Sequence, residues 1–262
     1  MLLLLDVGNT RIKWAVLERD VLGSDTLKMT TPGEWLAYGS VSHQSIAELN
    51  TAWQQYAISR VVIANVAGKA MREKLQAMLL HLFGGKASLK WFVARPELAG
   101  VRNAYAIPEQ LGCDRFATMI AAHTLFPQHP LVIATCGTAT TIDALTAQGT
   151  FVGGMILPGL GLMAASLAHN TAQLPNVADV KDLLSLSLPT FADNTKAAIQ
   201  SGCLAAQAGA IERAVAQHAM AMQAPVLCIL SGGAARYIAP YLSVQHHIVE
   251  NLVLIGLQVA AI

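Results

Sequence analysis

Charge is scarce in this sequence. Asp, Glu, Lys and Arg make up 13% of the 262 residues against 54% hydrophobic, so helices and strands must be covered on both faces or meet a second copy of the chain. The composition predicts a homo-oligomer. The few charges nearly cancel, at +1, and no Lys/Arg cluster stands out, which leaves no electrostatic footprint for nucleic acid. Cysteine is also sparse: Cys113, Cys136, Cys203 and Cys228 form no C-x-x-C pair and read as reduced core residues, with neither a disulfide nor zinc.

Several chemistries lack their signatures. None of the eight histidines falls in H-x-x-x-H or H-E-x-x-H, and His246 with His247 reads as a solvated turn. G-x-x-x-x-G-K-[ST] and G-x-S-x-G are absent, which disfavours P-loop and hydrolase-elbow enzymes. Residues 151 to 168 run 18 positions without a formal charge, yet Gly153, Gly154, Pro158, Gly159 and Gly161 interrupt them. A membrane helix gains nothing from such residues, so the stretch reads as strand, loop and packed helix. Leu2 to Leu5 is too short for a signal-peptide core, no basic segment precedes it and Asp6 follows at once. The sequence predicts a cytoplasmic protein.

What is present alternates. Leu2 to Asp6 and Arg11 to Leu17 read as strands joined by a tight connection over Val7 to Thr10. ISRVVIANVAG (58 to 68) and WFVARPEL (91 to 98) read as further strands, with a helix near Lys69 to Leu82 between them. Then come a helix over 116 to 126, strand–turn–strand over 130 to 145, a long helix over 193 to 220 capped by Asp193 or Asn194, strand–turn–helix over 224 to 240, and a last helix from Leu252 to Ile262. This is an α/β layered pattern. LLLLDVGNTRIKWAVL also lies over PLVIATCGTATTIDAL with Gly8 on Gly137, one turn repeated 129 residues on. We divide the chain into halves 1–115 and 116–262 accordingly.

Four segments carry groups suited to phosphate chemistry. In D-V-G-N-T the glycine turn exposes backbone N–H groups, Asn9 and Thr10 add donors, and Asp6 beside a phosphate makes sense as a Mg²⁺ contact. In C-G-T-A-T-T-I-D, Gly137 and Thr138 suit a second clasp on the phosphates, while Asp143 reads as structural. Gly232 and Gly233 of S-G-G-A offer bare backbone to an adenine or ribose. In E-Q-L-G-C-D-R, Asp114 sits in a first helical turn as an ionised base near the anion-holding fork of Arg115. Taken singly, each pattern also serves as an ordinary turn or cap.

Two phosphate hairpins in duplicated α/β halves, with a third glycine turn, resemble the superfamily of acetate and sugar kinases, actin and heat-shock chaperones. The ordered set DVGNTRIK, GCDR, CGTATTID, GGMILPGL, NTKAAIQSG and LSGGAA is similar, over nearly the whole chain, to the type III pantothenate kinases, also called the Bvg accessory factor family. The resemblance implies an α/β fold of duplicated ribonuclease H-like (actin/sugar-kinase-like) domains with an interdomain nucleotide cleft. It implies ATP-dependent phosphorylation of pantothenate to 4'-phosphopantothenate, the first step towards coenzyme A.

Carried over by position, the resemblance gives Asp6, Val7, Gly8, Asn9, Thr10, Arg11, Ile12 and Lys13 to ATP phosphates and Mg²⁺, with Asp6 the metal residue, and Thr138 to a further ATP contact. It makes Asp114 the proton acceptor. Tyr105, Gly112, Cys113, Asp114, Arg115 and Thr195 hold pantothenate, Thr195 from a helix at a homodimer interface. The family pattern Asp-x-Gly-Thr, whose Asp helps bind K⁺ or NH₄⁺, is broken here by Thr135. Two other functions fit the same motifs: a nucleotide-binding regulator without kinase activity, and a kinase for another small hydroxyl substrate.

Overall fold

The computed structural model describes residues 1–18, 31–177 and 189–261. They form two compact units, Met1–Leu125 with Asn251–Ile262, and Phe126–Glu250.

The first unit begins with β1 (Leu2–Val7) and β2 (Arg11–Leu17), followed by β3 (Ala37–Ser42), α1 (Glu48–Trp53), β4 (Arg60–Asn65), α2 (Gly68–Phe83) and β5 (Ser88–Trp91). A short antiparallel pair, β6 (Glu97–Leu98) and β7 (Val101–Asn103), leads to α3 (Cys113–Leu125). The main sheet runs β3-β2-β1-β4-β5, with β1 antiparallel to β2 and parallel to β4. Leu3, Leu4, Leu5 and Val7 are all fully buried, which is what a leucine run on a central strand covered on both faces requires. Leu3, Leu5 and Val7 join Ile12, Trp14, Leu49, Trp53, Leu75 and Leu79 in one core. Alternation along the strand places Asp6 on the opposite face, with Leu4, and directly across from Lys13.

The second unit repeats the plan. It contains β8 (Leu131–Cys136), β9 (Ala139–Leu145), β10 (Thr150–Pro158), α4 (Leu160–Asn170), α5 (Thr195–Met222), β11 (Leu227–Ser231), α6 (Ala235–Ile238) and β12 (His246–Ile248). Its strands run β10-β9-β8-β11-β12, with β8 antiparallel to β9 and parallel to β11. In both units the spatial order is third, second, first, fourth, fifth: a three-stranded meander extended by parallel crossovers. The duplication expected from the two glycine turns is therefore a duplication of whole sheets. Ile199, Cys203, Leu204 and Ile211 of α5 pack on Val132, Ala134, Ile142 and Leu230. The chain closes with α7 (Leu252–Ala261), which packs on α3, β1, β4 and β2 of the first unit; Ile262, assigned to this helix from sequence, lies outside the described residues.

Some sequence expectations shift. The strand placed at 91–98 is instead β5, ending at Trp91. Pro96 has no N–H to give a ladder, Phe92 and Ala94 are buried by loop packing, Phe92 stacking on Phe116 at 6.1 Å, and Val93 is exposed. His246 and His247 lie in β12 rather than in a turn, paired with Cys228 and Ile229. The division at 115/116 falls inside α3, which the structure keeps whole, and α7 belongs with the first unit. β3, α1 and β7 had no expected counterpart.

Candidate active site

In the first unit the opening motif and the GCDR motif meet. Gly8 N–H donates to Arg11 O at 3.1 Å, closing the hairpin so that Asn9 and Thr10 form its exposed tip, and His43 Nε2 hydrogen-bonds Gly8 O at 2.9 Å. Arg11 Nη2 donates to Ser40 Oγ at 2.9 Å, so its guanidinium is tied to β3. Val7 and Ile12 are core residues that can act only through their backbone. That leaves Asp6 and Lys13 as the charged pair at the base of the hairpin.

Burial raises Asp6 to a pKa of about 7; the Lys13 ammonium opposes the rise and the Asp114 carboxylate adds to it. Two carboxylates thus sense each other where water is partly excluded. Asp114 is also raised, by burial first, against the Arg115 N–H and the Arg115 charge. Its Oδ1 accepts the Arg115 N–H at 2.8 Å, and a Cβ on Gly112 would stand 2.7 Å from that oxygen. The glycine of GCDR therefore makes room for the carboxylate. Cys113 Sγ–H donates to Asn65 O at 3.6 Å, and burial and Asp114 push the thiol up to about 11, so it stays neutral. Arg115 is buried at 7% exposure. Its Nη1 donates to Tyr105 OH at 3.2 Å, with the guanidinium 5.9 Å over the ring.

Two residues without a sequence signal organise this group. Asn103 Oδ1 accepts Tyr105 N–H at 3.1 Å while its Nδ2 donates to Pro108 O at 3.0 Å, fixing the loop that presents Tyr105. Asn65 Oδ1 accepts Ala67 N–H at 3.1 Å and its Nδ2 donates to Gly68 O at 3.0 Å, shaping the turn whose backbone receives Cys113. Asn after a strand is a turn signal, but nothing in the sequence says which turn borders a site.

The second unit holds the other candidates. Gly137 N–H donates to Ala139 O at 3.0 Å, closing a hairpin with Thr138 at its exposed tip. Gly232, at φ +90°, packs its bare α-carbon against the Cys136 backbone, whereas Gly233 faces open space. Asp143 is fully buried in β9. Thr135 Oγ1 and, across the β8–β9 ladder, Thr141 Oγ1 are buried without a hydrogen-bond partner among the described residues. Thr195 opens α5, capped by Asn194 Oδ1, which accepts Ala197 N–H at 3.0 Å. It lines a cavity of about 550 Å³ with Met163, Leu167, Ile199 and Cys203. No group of three or more His, Cys, Asp or Glu suited to a metal occurs among the described residues.

The first-unit group can place a carboxylate base beside a fixed guanidinium, next to a second carboxylate able to take a hard cation. Comparison with known proteins narrows what it does. A family model described as type III pantothenate kinase matches residues 2–217. The type III pantothenate kinases of Janthinobacterium sp. (strain Marseille) and Herminiimonas arsenicoxydans are each 57% identical, covering 100% of this chain and 98% of theirs. Among solved structures, the activator of the 2-hydroxyisocaproyl-CoA dehydratase from Clostridium difficile with bound ADPNP is similar in fold, with a TM-score of 0.52 at 13% identity over 99% of this chain and 92% of that one.

Proposed function

Since the chain belongs to the type III pantothenate kinase family, and so catalyses the ATP-dependent phosphorylation of pantothenate in coenzyme A biosynthesis, we propose that Asp114 is the base that receives the proton of the attacking hydroxyl. Support comes from the meeting of Asp6, Lys13, Asp114 and the Arg115–Tyr105 pair in one unit. As the 4'-hydroxyl oxygen of pantothenate bonds to the γ-phosphorus, the bond from that phosphorus to the β–γ bridging oxygen breaks. ADP leaves, and the hydroxyl proton rests on Asp114. The transfer asks mainly for positioning and charge neutralisation. Arg115 and Tyr105 hold the pantothenate anion, and Gly112 and Cys113 set the backbone around it. Thr195, which opens α5 of the second unit, is a further pantothenate residue, contributed from a helix at the homodimer interface.

For nucleotide phosphates the first unit offers its hairpin from Asp6 to Lys13; the second unit offers Gly137 and Thr138, with Gly233, more open than Gly232, as bare backbone for the nucleoside. Asp6 fits Mg²⁺, being a hard oxygen donor that burial leaves short of compensating charge. Bound there, Mg²⁺ supplies positive charge to the phosphates. Thr135 offers an orphaned oxygen but no charge, and the residues present do not fit a K⁺ or NH₄⁺ site built on a carboxylate.

We place this work in the cytoplasm and assign the chain a homodimer. No helix among the described residues is long and apolar enough to cross a membrane. Phe191, Leu162 and Ile156 are 93%, 52% and 66% exposed in the second unit, an apolar display that a second copy would cover. A coupled ADP-release assay, with and without pantothenate and in K⁺ or Na⁺ buffer, is the test. Release should depend on pantothenate and not on K⁺. ATP binding without pantothenate-dependent release would instead indicate a regulator.

A further inference from the structure

We infer that Gln207, on the buried face of α5, is a positioning residue that sets the Gly137–Thr138 hairpin for nucleotide. It is 1% exposed and stands one turn from Cys203 and from Ile211, both members of the apolar cluster of the second unit. Its Nε2 donates to Pro158 O at 2.7 Å and lies 3.2 Å from Met163 Sδ, while its Oε1 is buried without a partner. A methionine or leucine would fill the space without stranding an acceptor. The retained amide is explained by what its donor holds.

Pro158 ends β10, paired with Ala139 just beyond the hairpin, and the next residue is Gly159. Gly159 N–H donates to Thr138 O at 2.9 Å, and Gly159 O accepts Met163 N–H at 2.9 Å, starting α4. A Cβ on Gly159 would overlap Gly137 O and come within 2.6 Å of Thr138 O. The hairpin therefore rests on the Pro158–Gly159 backbone on one side. On the other it is held by Ala234 N–H, which donates to Cys136 O at 3.0 Å, and by Gly232. Gln207 fixes the first of these two supports through the carbonyl just before Gly159, so removing its donor frees the hairpin without touching a reacting atom.

This inference rests on the assignment of Gly137 and Thr138 to ATP, and the experiment separates the two. Steady-state kinetics and thermal melts are compared for the wild type, Thr138→Ala, Gln207→Met, Gln207→Glu and Ile211→Val. Thr138→Ala should raise the KM for ATP; if it does not, the assignment itself fails and the inference with it. Gln207→Met should raise the KM for ATP about tenfold, one factor of ten in an equilibrium constant, and leave the KM for pantothenate within about twofold. Ile211→Val, a packing control on the same helix face, should lower the Tm without that split.

Gln207→Glu is the isosteric variant, covering the case in which methionine prevents folding. Its acid form can donate to Pro158 O and its ionised form cannot, so its KM for ATP should stay near wild type at low pH and climb with rising pH. If Thr138→Ala weakens ATP use but Gln207→Met leaves it unchanged, or raises both KM values in step with the loss of Tm, the role of Gln207 is overturned. A Gln207→Glu enzyme whose KM ratio to wild type is flat with pH overturns it equally.

Discussion

Asp114 and Asp6 are two carboxylates of the first unit that sense each other, and the tasks proposed for them differ. Replacing Asp114 by Asn keeps the size and the Arg115 N–H contact but removes the proton acceptor, and should lower kcat by about 10² to 10⁴ while ATP binding, followed by calorimetry, stays near wild type. Because burial raises Asp114, the base becomes ionised only above the ordinary carboxylate range, and kcat should climb with pH there. Asp6 makes a separate prediction about stability. It titrates near 7 folded against an ordinary 3.8, so between those values the folded chain holds a proton that the unfolded chain has released. Its contribution is fully present below about pH 4 and falls by up to about 1.4 kcal/mol per pH unit until about pH 7. Urea midpoints measured across that window should decline for the wild type and decline less for Asp6→Asn. At this scale Asp6 and Asp114 stood out in the sequence as candidates because they sit in short motifs, and the two interact in the first unit. Asn65, Asn103 and Gln207 were not: each acts through a carbonyl or amide that local spacing does not reveal, as when Cys113 meets Asn65 O across 48 positions.

Among the elements, β1 and β2 were legible from Leu2 to Leu17 because an apolar run, a glycine turn and a second apolar run leave few other arrangements. α5 was legible from its alanine-rich length and its cap. The stretch at 91–98 was misplaced because Phe92 and Ala94 are buried without being paired in a strand; burial and β-pairing leave the same mark on a short sequence. β3 carries Gly39 and alternates only weakly, so it gave little pattern to read. The cap of α5 is open to test. Asn194→Ala removes the acceptor for Ala197 N–H and should cost about 1 kcal/mol in chemical denaturation. With Thr195, the next residue, as the proposed pantothenate contact, the same variant should raise the KM for pantothenate and leave that for ATP near wild type.

For the whole molecule, the repeated strand order is the main legible fact, and it was visible only as the echo between Gly8 and Gly137. The proposed homodimer yields an experiment at this scale. Phe191→Ser with Leu162→Ser should convert a sedimenting dimer to monomer and reduce pantothenate turnover if Thr195 acts from a shared interface, whereas a wild-type monomer in sedimentation would remove the assignment. The placement of α7 has a further consequence, in the order of synthesis. The second unit is one unbroken stretch of chain, complete once residue 250 has been made, but the first unit begins with β1 and receives its covering helix only from residues 252–261. A nascent chain therefore carries β1 without α7 until the whole second unit has been made, and the unit begun first is completed after the other.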